Sequence, residues 1–430
     1  MTSKKSRAAA AATKGEKASN NDSSQMSQPA DGVLFPMTPD NVVPDSKSEE
    51  RKPGVEELLL PSHNEAKTLC NLAAEIKALA PWQWMEETDV FGVENPDTGE
   101  IGFISIMGNV GEYEAVAVYP GAEGIYGFID FQADPSATPD RLIEIPQLQL
   151  SFSESKFLEK RDRELLKGSG IKFTGRKPLF RSYRPGYLPW FITLSEARLL
   201  IHALAQTLEV TKRFADQPVA LPADGDGETV TFLVRVPRKE NASSPEGISR
   251  EDISNAPDTS QRENRGQSPL AGLVWEDQIK LISRPALPPI DTTIDWLLLS
   301  DLKSIPQSAM QLEVDVFIGP GSIGEPHERP LALYILIIAD RYSGFILGFK
   351  ALTAEDSLNS MYANVPETIA DLLWQNKALP KQIIVRSELL FNLLEPLEKE
   401  LKIQIRRANE LPAIDEAAGS LAQYLQTGKI

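Results

Sequence analysis

The most regular pattern of apolar positions lies in the last third of the chain, where three strand-like runs follow one another. They are LEVDVFI at 312–318, LALYILIIAD at 331–340 and GFILGFKAL at 344–352. A helical pattern over 354–376 comes next. Strand and helix then alternate in QIIVRS, ELLFNLLEPLEKEL, KIQIRR and a helix over 412–425. This β-β-β-α-β-α-β-α order predicts a C-terminal ribonuclease-H-like domain over residues 291–430.

Mixed helical and strand patterns over residues 55–285 predict an N-terminal α/β domain with an antiparallel sheet. Ser62 and Glu65 have the spacing of a capping box that opens a helix. DVFGVENPDTGEIGFISIMG predicts a hairpin, because turn residues separate two alternating runs. YEAVAVYPG and IPQLQLSFS predict further strands, and Thr193 with Glu196 opens a long amphipathic helix. The predicted fold class is therefore α+β.

Two segments have no periodic pattern of apolar residues. Residues 1–52 and 239–267 are dominated by polar residues, with scattered Pro, Gly and Ala. Such segments cannot bury enough apolar surface to offset the entropy lost on ordering. We predict that the first is a disordered N-terminal tail and the second a disordered insertion within the N-terminal domain.

Charge and composition narrow the function classes. The 430 residues carry a formal net charge of −17, which argues against nucleic acid as a partner, since that binding depends on Lys and Arg. No apolar run approaches the roughly 18 residues of a membrane span. Cys70 is the only cysteine, which indicates a reducing, cytoplasmic setting. The three histidines lack metal-binding spacing, and two prolines follow the GPGSIG loop at 319–324, so we predict neither a metal nor a cofactor.

One basic and aromatic stretch stands out in this acidic chain: PLFRSYRPGYLPW at 178–190. Its arginines can clamp an anion at two points, and its aromatic rings can stack on a ligand. The candidate ligand-binding residues are Arg181, Tyr183, Arg184, Tyr187 and Trp190. The structural alternative is a stiff joint, in which the arginines pair with acids of their own domain such as Asp89, Asp97 or Glu100.

The predicted C-terminal fold also suggests a carboxylate site. Nucleases with this fold hold two Mg²⁺ ions on acids from the first strand, the end of the fourth strand and a late helix. Asp315 lies on the first strand, and Asp415 and Glu416 begin the last helix, so these three are weak catalytic candidates. The fourth strand ends in Arg386, however, and a cation there opposes metal binding.

Long motifs resemble an uncharacterised bacterial family that fuses two domains of unknown function. The motifs are APWQWM, DVFGVENPDTGEIGFISIMG, AVYPGAEGIYGF and LFRSYRPGYLPWFITLSEARLLIHAL in the first domain, and LPAIDEA in the second. The resemblance covers nearly all of the chain from Val55 onward, apart from 239–267. It implies membership and carries over no catalytic residues.

These patterns favour a non-catalytic binding or regulatory module over an enzyme. Its expected partner is a small anionic ligand or an acidic protein. Two alternatives stay open: a divergent Mg²⁺-dependent nuclease of the ribonuclease-H-like fold, and an acidic scaffold that recruits other proteins.

Overall fold

Two β-sheets with helices on their faces form the framework of the protein. The computed structural model describes residues 42–43, 60–216, 227–239 and 270–427, apart from positions 110, 112, 135–136, 271, 287 and 326. No helix in these ranges has the length and apolar character needed to cross a bilayer. The predicted tail lies outside the described residues except for the strand β1 (Val42–Val43), and so does the predicted insertion except for Lys239 at its start.

Seven strands form the N-terminal sheet. They are β2 (Phe91–Glu94), β3 (Ile101–Met107), β4 (Ala115–Pro120), β5 (Gln147–Ser153), β6 (Lys177–Tyr183), β7 (Thr229–Lys239) and β8 (Leu273–Ser283). Their order is β6-β5-β4-β3-β2-β7-β8, and every neighbouring pair is antiparallel except β2 with β7. The parallel pair corrects the prediction of a wholly antiparallel sheet. It arises because a long helix carries the chain from β6 across to β7.

Four helices cover the two faces of this sheet. They are α1 (His63–Leu79), α2 (Gly121–Ala133), α3 (Lys160–Ser169) and α4 (Leu194–Asp216). On one face α1 and α4 bury their apolar stripes, including Leu69 and Leu200, against the strands. On the other face α2 buries Ile125 and Phe128. Burial of both faces explains why strands such as AVAVY are apolar throughout.

The C-terminal sheet contains five strands in one path. They are β9 (Gln311–Ile323), β10 (Leu331–Asp340), β11 (Ile346–Leu352), β12 (Gln382–Val385) and β13 (Gln404–Arg407). Their order is β11-β10-β9-β12-β13; the first three are antiparallel, and β12 runs parallel to both β9 and β13. The short strand β1 pairs in parallel with the end of β9 at Ser322 and Ile323.

Helices lie on both faces of the C-terminal sheet as well. They are α5 (Trp296–Lys303), α6 (Leu358–Ala363), α7 (Val365–Gln375), α8 (Glu388–Leu393), α9 (Glu395–Leu401) and α10 (Pro412–Thr427). Residues of α5 to α9 join the larger core on one face, and α10 covers the other. The single helix predicted over 354–376 is two helices, because Pro366 at the start of α7 has no N–H to continue the preceding turn.

A short strand-like joint connects the two sheets. The Leu188 N–H donates to the Pro330 carbonyl at 2.9 Å, and the Ala332 N–H donates to the Gly186 carbonyl at 3.0 Å. Ile143 and Leu188 of the N-terminal region are buried in the larger C-terminal core. The joint therefore combines backbone pairing with a shared apolar core.

Gly186 makes the close approach at this joint possible. Its φ of +85° lies in the left-handed region, and an added Cβ would come within 2.6 Å of the Ala354 Cβ. Gly175 has a similar φ of +65° but no atom within 4 Å of such a Cβ. Alanine substitutions at Gly186 and Gly175 therefore separate the cost of backbone strain from the cost of crowding at the joint.

We expect Gly186→Ala to lower the free energy of unfolding by about 2–4 kcal/mol, from left-handed strain plus overpacking. Gly175→Ala should cost only about 1 kcal/mol. Urea denaturation of both variants measures the difference. Equal losses in the two variants would contradict a tightly packed joint.

Candidate functional site

Three of the charged side chains singled out by sequence meet at one end of the C-terminal sheet. Asp315 lies on β9, Arg386 follows β12, and Asp415 lies in the first turn of α10. The strand register explains why Asp315 and Arg386 meet. Glu313 on β9 is paired with Ile384 on β12, and side chains two residues further along each strand, Asp315 and Arg386, lie on the same face. The Arg386 Nε lies 3.5 Å from Asp315 Oδ2, and its Nη2 donates a hydrogen bond to Asp415 Oδ1.

A buried glutamate that sequence reasoning missed anchors α10 beside this cluster. Glu313 is fully buried, and its Oε2 accepts from the backbone N–H groups of Ala413 and Ile414 at 2.9 and 3.3 Å. Its Oε1 accepts from Arg341 Nη1 at 2.7 Å. A carboxylate at a helix N-terminus satisfies donors that the helix leaves unpaired. Glu313 therefore fixes α10, and with it the position of Asp415.

Burial and ion pairing shift the pKa values of Asp315 and Arg386 in opposite directions. Burial raises the pKa of Asp315 to about 6, although the Arg386 guanidinium opposes the shift. Burial also lowers the Arg386 pKa, but the hydrogen bond to Asp415 and the charge of Asp315 outweigh it, so the net direction is upward. Arg386 is therefore a fixed cation between two carboxyl groups.

The cluster lines a cleft of about 230 Å³ that also contains residues from the N-terminal region. We call it the Arg386 cleft. Arg141 and Glu144, from the turn that precedes β5, form the opposite wall, and the Arg141 Nε and Nη2 donate to Glu144 Oε2 at 3.1 and 2.9 Å. The Tyr362 hydroxyl donates to the other oxygen of Glu144 at 3.3 Å. The cleft thus depends on both sheets.

The third weak catalytic candidate does not join the cluster. Glu416 is exposed and does not line the Arg386 cleft. Within the described ranges, no group of three or more His, Cys, Asp or Glu side chains is placed to hold a metal ion. The cluster instead consists of two carboxyl groups and one guanidinium.

The basic stretch at 178–190 forms part of β6 and of the joint. Arg181 is only 8% exposed, and its Nη1 and Nη2 donate to the two carboxylate oxygens of Asp162 at 2.8 Å each. The Nη2 also lies 3.4 Å from Glu159 Oε1. Arg181 therefore pairs with acids of its own domain, as the structural alternative expects. These acids lie at the start of α3 and are not Asp89, Asp97 or Glu100. The two-point donor face of Arg181 is thus occupied inside the fold, and ligand binding by this residue stays a prediction.

The other four residues of the predicted ligand set also have partners within the protein. The buried Tyr183 hydroxyl donates to Gln149 Oε1 at 2.8 Å, and Arg184 lies 3.3 Å from Glu196 Oε1. Tyr187 is bridged to Leu331 at the joint, and Trp190 is bridged to Ser182. These contacts pair the four residues within the protein, and their role in ligand binding stays a prediction.

Arg329 ties this stretch to the loop before β10. Its Nη1 donates to the Ser182 carbonyl at 3.0 Å, and its Nη2 donates to the Ser182 hydroxyl oxygen at 3.0 Å. The Ser182 hydroxyl in turn donates to Glu196 Oε1 at 2.7 Å. The capping box predicted at Thr193 and Glu196 is present as well, since each residue's side chain accepts from the other's N–H.

Comparison with known proteins finds two family matches. A domain of unknown function, DUF7309, matches residues 67–235, and a second domain of unknown function, DUF6930, matches residues 298–422. No curated protein and no solved structure matches the chain. The chain thus combines two domains of unknown function, as its resemblance to a two-domain family implied. The boundaries 55–285 and 291–430 stay predictions.

Breaking the buried ion pair of Arg181 should be strongly destabilising. We expect Arg181→Gln to lower the free energy of unfolding by about 3–5 kcal/mol, because Asp162 would be left buried without its partner. The control is Arg176→Gln, since Arg176 is half-exposed and 3.9 Å from Glu114. That change should cost less than about 1 kcal/mol. A small loss for Arg181→Gln in urea denaturation would contradict the structural role.

The raised pKa of Asp315 predicts a pH dependence with a definite sign. The folded protein holds this proton at pH values where the unfolded chain, near the ordinary pKa of 3.8, has released it. Asp315 therefore lowers stability as the pH rises from about 4 to 6, by up to ~3 kcal/mol. Wild type should thus lose stability relative to Asp315→Asn over this range in urea titrations.

Asp340 provides a control of opposite sign. Hydrogen bonds from the Ser343 hydroxyl and backbone lower the pKa of Asp340. Its contribution to stability is therefore present above the unfolded pKa and is lost as the pH falls. Wild type should gain stability relative to Asp340→Asn as the pH rises through about 4. The same slope for both variants would contradict the assignment for Asp315.

Proposed function

We propose that this protein acts by binding and not by catalysis, and that its C-terminal domain is a ribonuclease-H-like fold in which Arg386 fills the metal position. The strand order β11-β10-β9-β12-β13, antiparallel and then parallel, supports the fold. So does the alternation of helix and strand after β11. The observation that carries the functional proposal is the position of Arg386 between Asp315 and Asp415.

An arginine between Asp315 and Asp415 occupies the carboxylate oxygens that a divalent cation would need as ligands. Mg²⁺ binds through carboxylate oxygens in a near-octahedral shell, and a two-metal site clamps both reacting oxygens. Here the guanidinium donates a hydrogen bond to Asp415 and lies within ion-pair distance of Asp315, and its own charge repels a cation. The alternative of a divergent nuclease therefore lacks a supporting contact within the described residues of the cleft.

The Arg386 cleft does not supply an excess of positive charge for an anion. Arg141 is paired with Glu144, and Arg386 is shared by Asp315 and Asp415. We therefore propose that the cleft fixes the relation of the two domains, and that the expected anionic ligand binds elsewhere on the protein. We place this binding protein in a reducing, cytoplasmic setting, since its single cysteine can form no internal disulfide.

Replacement of Arg386 tests the proposal directly. In wild type, Mg²⁺ or Mn²⁺ should leave the melting temperature unchanged, and RNA and DNA oligomers should remain intact. Arg386→Ala leaves two carboxyl groups without a cation, so we expect it to melt lower and to recover roughly 2–4 °C with saturating Mn²⁺. Thermal denaturation with and without the metal measures both effects.

The matched control is Arg407→Ala, on the next strand of the sheet. Arg407 forms an exposed pair with Glu388 at 3.1 Å, so its loss should create no response to Mn²⁺. Metal-dependent cleavage by wild type, abolished in Asp315→Asn, would overturn the proposal. Equal Mn²⁺ stabilisation of wild type and Arg386→Ala would do the same.

A further inference from the structure

We infer that a cavity between α1, α3 and β6 binds a small amphipathic anion, a compact apolar body with one carboxylate. The inference rests on the proposed binding function and gives it a site and a ligand class. The cavity has a volume of about 260 Å³ and is separate from the Arg386 cleft. None of the five residues predicted to bind a ligand lines it, although Pro178 and Phe180 of the same stretch do.

The walls of this cavity are mainly apolar. They are formed by residues such as Ala66, Leu165, Phe180 and Ile192. An aliphatic cavity of ~150 Å³ is enough to hold benzene, so this volume suits an apolar body of somewhat larger size. Such a body would displace water from apolar surface, which is favourable near room temperature.

Arg161 supplies a cation at the cavity that no acid neutralises by direct pairing. Its guanidinium carbon lies 5.7 Å from the centre of the Trp190 ring and 5.0 Å from that of Phe191. Within the described residues, no ion pair or side-chain hydrogen bond engages it. A guanidinium held by aromatic faces keeps its in-plane N–H groups available for a carboxylate.

The acids around Arg161 form their direct contacts with other cations, although the charge of Arg161 also acts on Glu159. Both oxygens of Asp162 accept from Arg181, and Glu159 lies 3.4 Å from the same guanidinium. Glu164 lines the cavity but is exposed and lies 3.9 Å from Lys160. Among the described residues, the N–H groups of Arg161 therefore have no direct acidic partner and can donate to a ligand. Trp190, predicted as a ligand-stacking residue, lies against Arg161.

Sodium octanoate is the probe, and octanamide, which has the same chain without the charge, is its neutral partner. Titration calorimetry on the full chain should give an octanoate Kd of order 0.1–1 mM. Octanamide should bind about tenfold more weakly, because it forms no charge-assisted hydrogen bond to Arg161. Equal affinity for the two probes would overturn the assignment of an anion site.

Two variants separate the charge from the cavity. Arg161→Gln should weaken octanoate about tenfold and leave octanamide unchanged, whereas Arg163→Gln, on the exposed side of the same helix, should change neither. Gly168→Leu should weaken both probes at least about tenfold, because Gly168 lines the cavity. Melting curves confirm that each variant is folded.

Two results would refute the site. One is no heat of octanoate binding by folded wild type at two well-separated temperatures, since burial of apolar surface makes the binding enthalpy depend on temperature. The other is octanoate binding that survives both Arg161→Gln and Gly168→Leu. Failure here is distinguishable from failure of the proposed function. If the wild-type protein binds neither octanoate nor Mn²⁺, this site is refuted and the proposed function is not. Metal-dependent cleavage removes the proposed function whatever octanoate does.

Discussion

Backbone pairing between residues 186–188 and the start of β10 is the constraint on which the rest of the structure depends. Two hydrogen bonds, from Leu188 to Pro330 and from Ala332 to Gly186, link a turn of the N-terminal region to the C-terminal sheet. Buried backbone groups must find partners, so this pairing sets both position and orientation. It brings Arg141 opposite Arg386 and completes the cleft. Residues 186–188 of the basic stretch therefore join the two sheets.

Arginine has two different structural uses in this acidic chain. Arg181 and Arg386 are surrounded by carboxylates of the same chain, and their planar donor groups hold separate elements together. Arg161 lies against aromatic rings beside an apolar cavity without a direct acidic partner among the described residues, whereas Arg181 has both Phe191 and carboxylates around it. Sequence proximity to aromatic residues does not distinguish these cases. The two cases differ in the number of acids that tertiary contacts bring to each guanidinium.

Local signals predicted much of the fold. The strands of the C-terminal sheet and the capping box at Ser62 follow from periodicity and hydrogen-bonding chemistry that act over a few residues. The position of Arg386 at the end of the fourth strand was also predictable, because the apolar run QIIV precedes it directly. The helix α2 was missed, because GAEGIYGFIDFQA contains three glycines and several aromatic residues that disfavour a helix. Packing against the sheet outweighs that preference.

The sequence did not predict which residues far apart in the chain contact one another. Asp162 lies in a highly charged helix, KRDRELLKGS, which resembles a solvated surface, yet its side chain is buried against Arg181. Glu313 alternates with apolar residues on β9 in the same way as Asp315, and only the position of α10 shows that it caps that helix. The cavity beside Arg161 likewise requires α1, α3 and β6 to meet. Such arrangements depend on tertiary contacts that no local pattern encodes.

The most direct test of the account is a crystal of the wild-type protein soaked in Mn²⁺ and measured for anomalous scattering. The account predicts no manganese between Asp315 and Asp415, with the Arg386 guanidinium in contact with both carboxyl groups. A manganese peak bridging these two carboxyl groups, with Arg386 turned away, would contradict it.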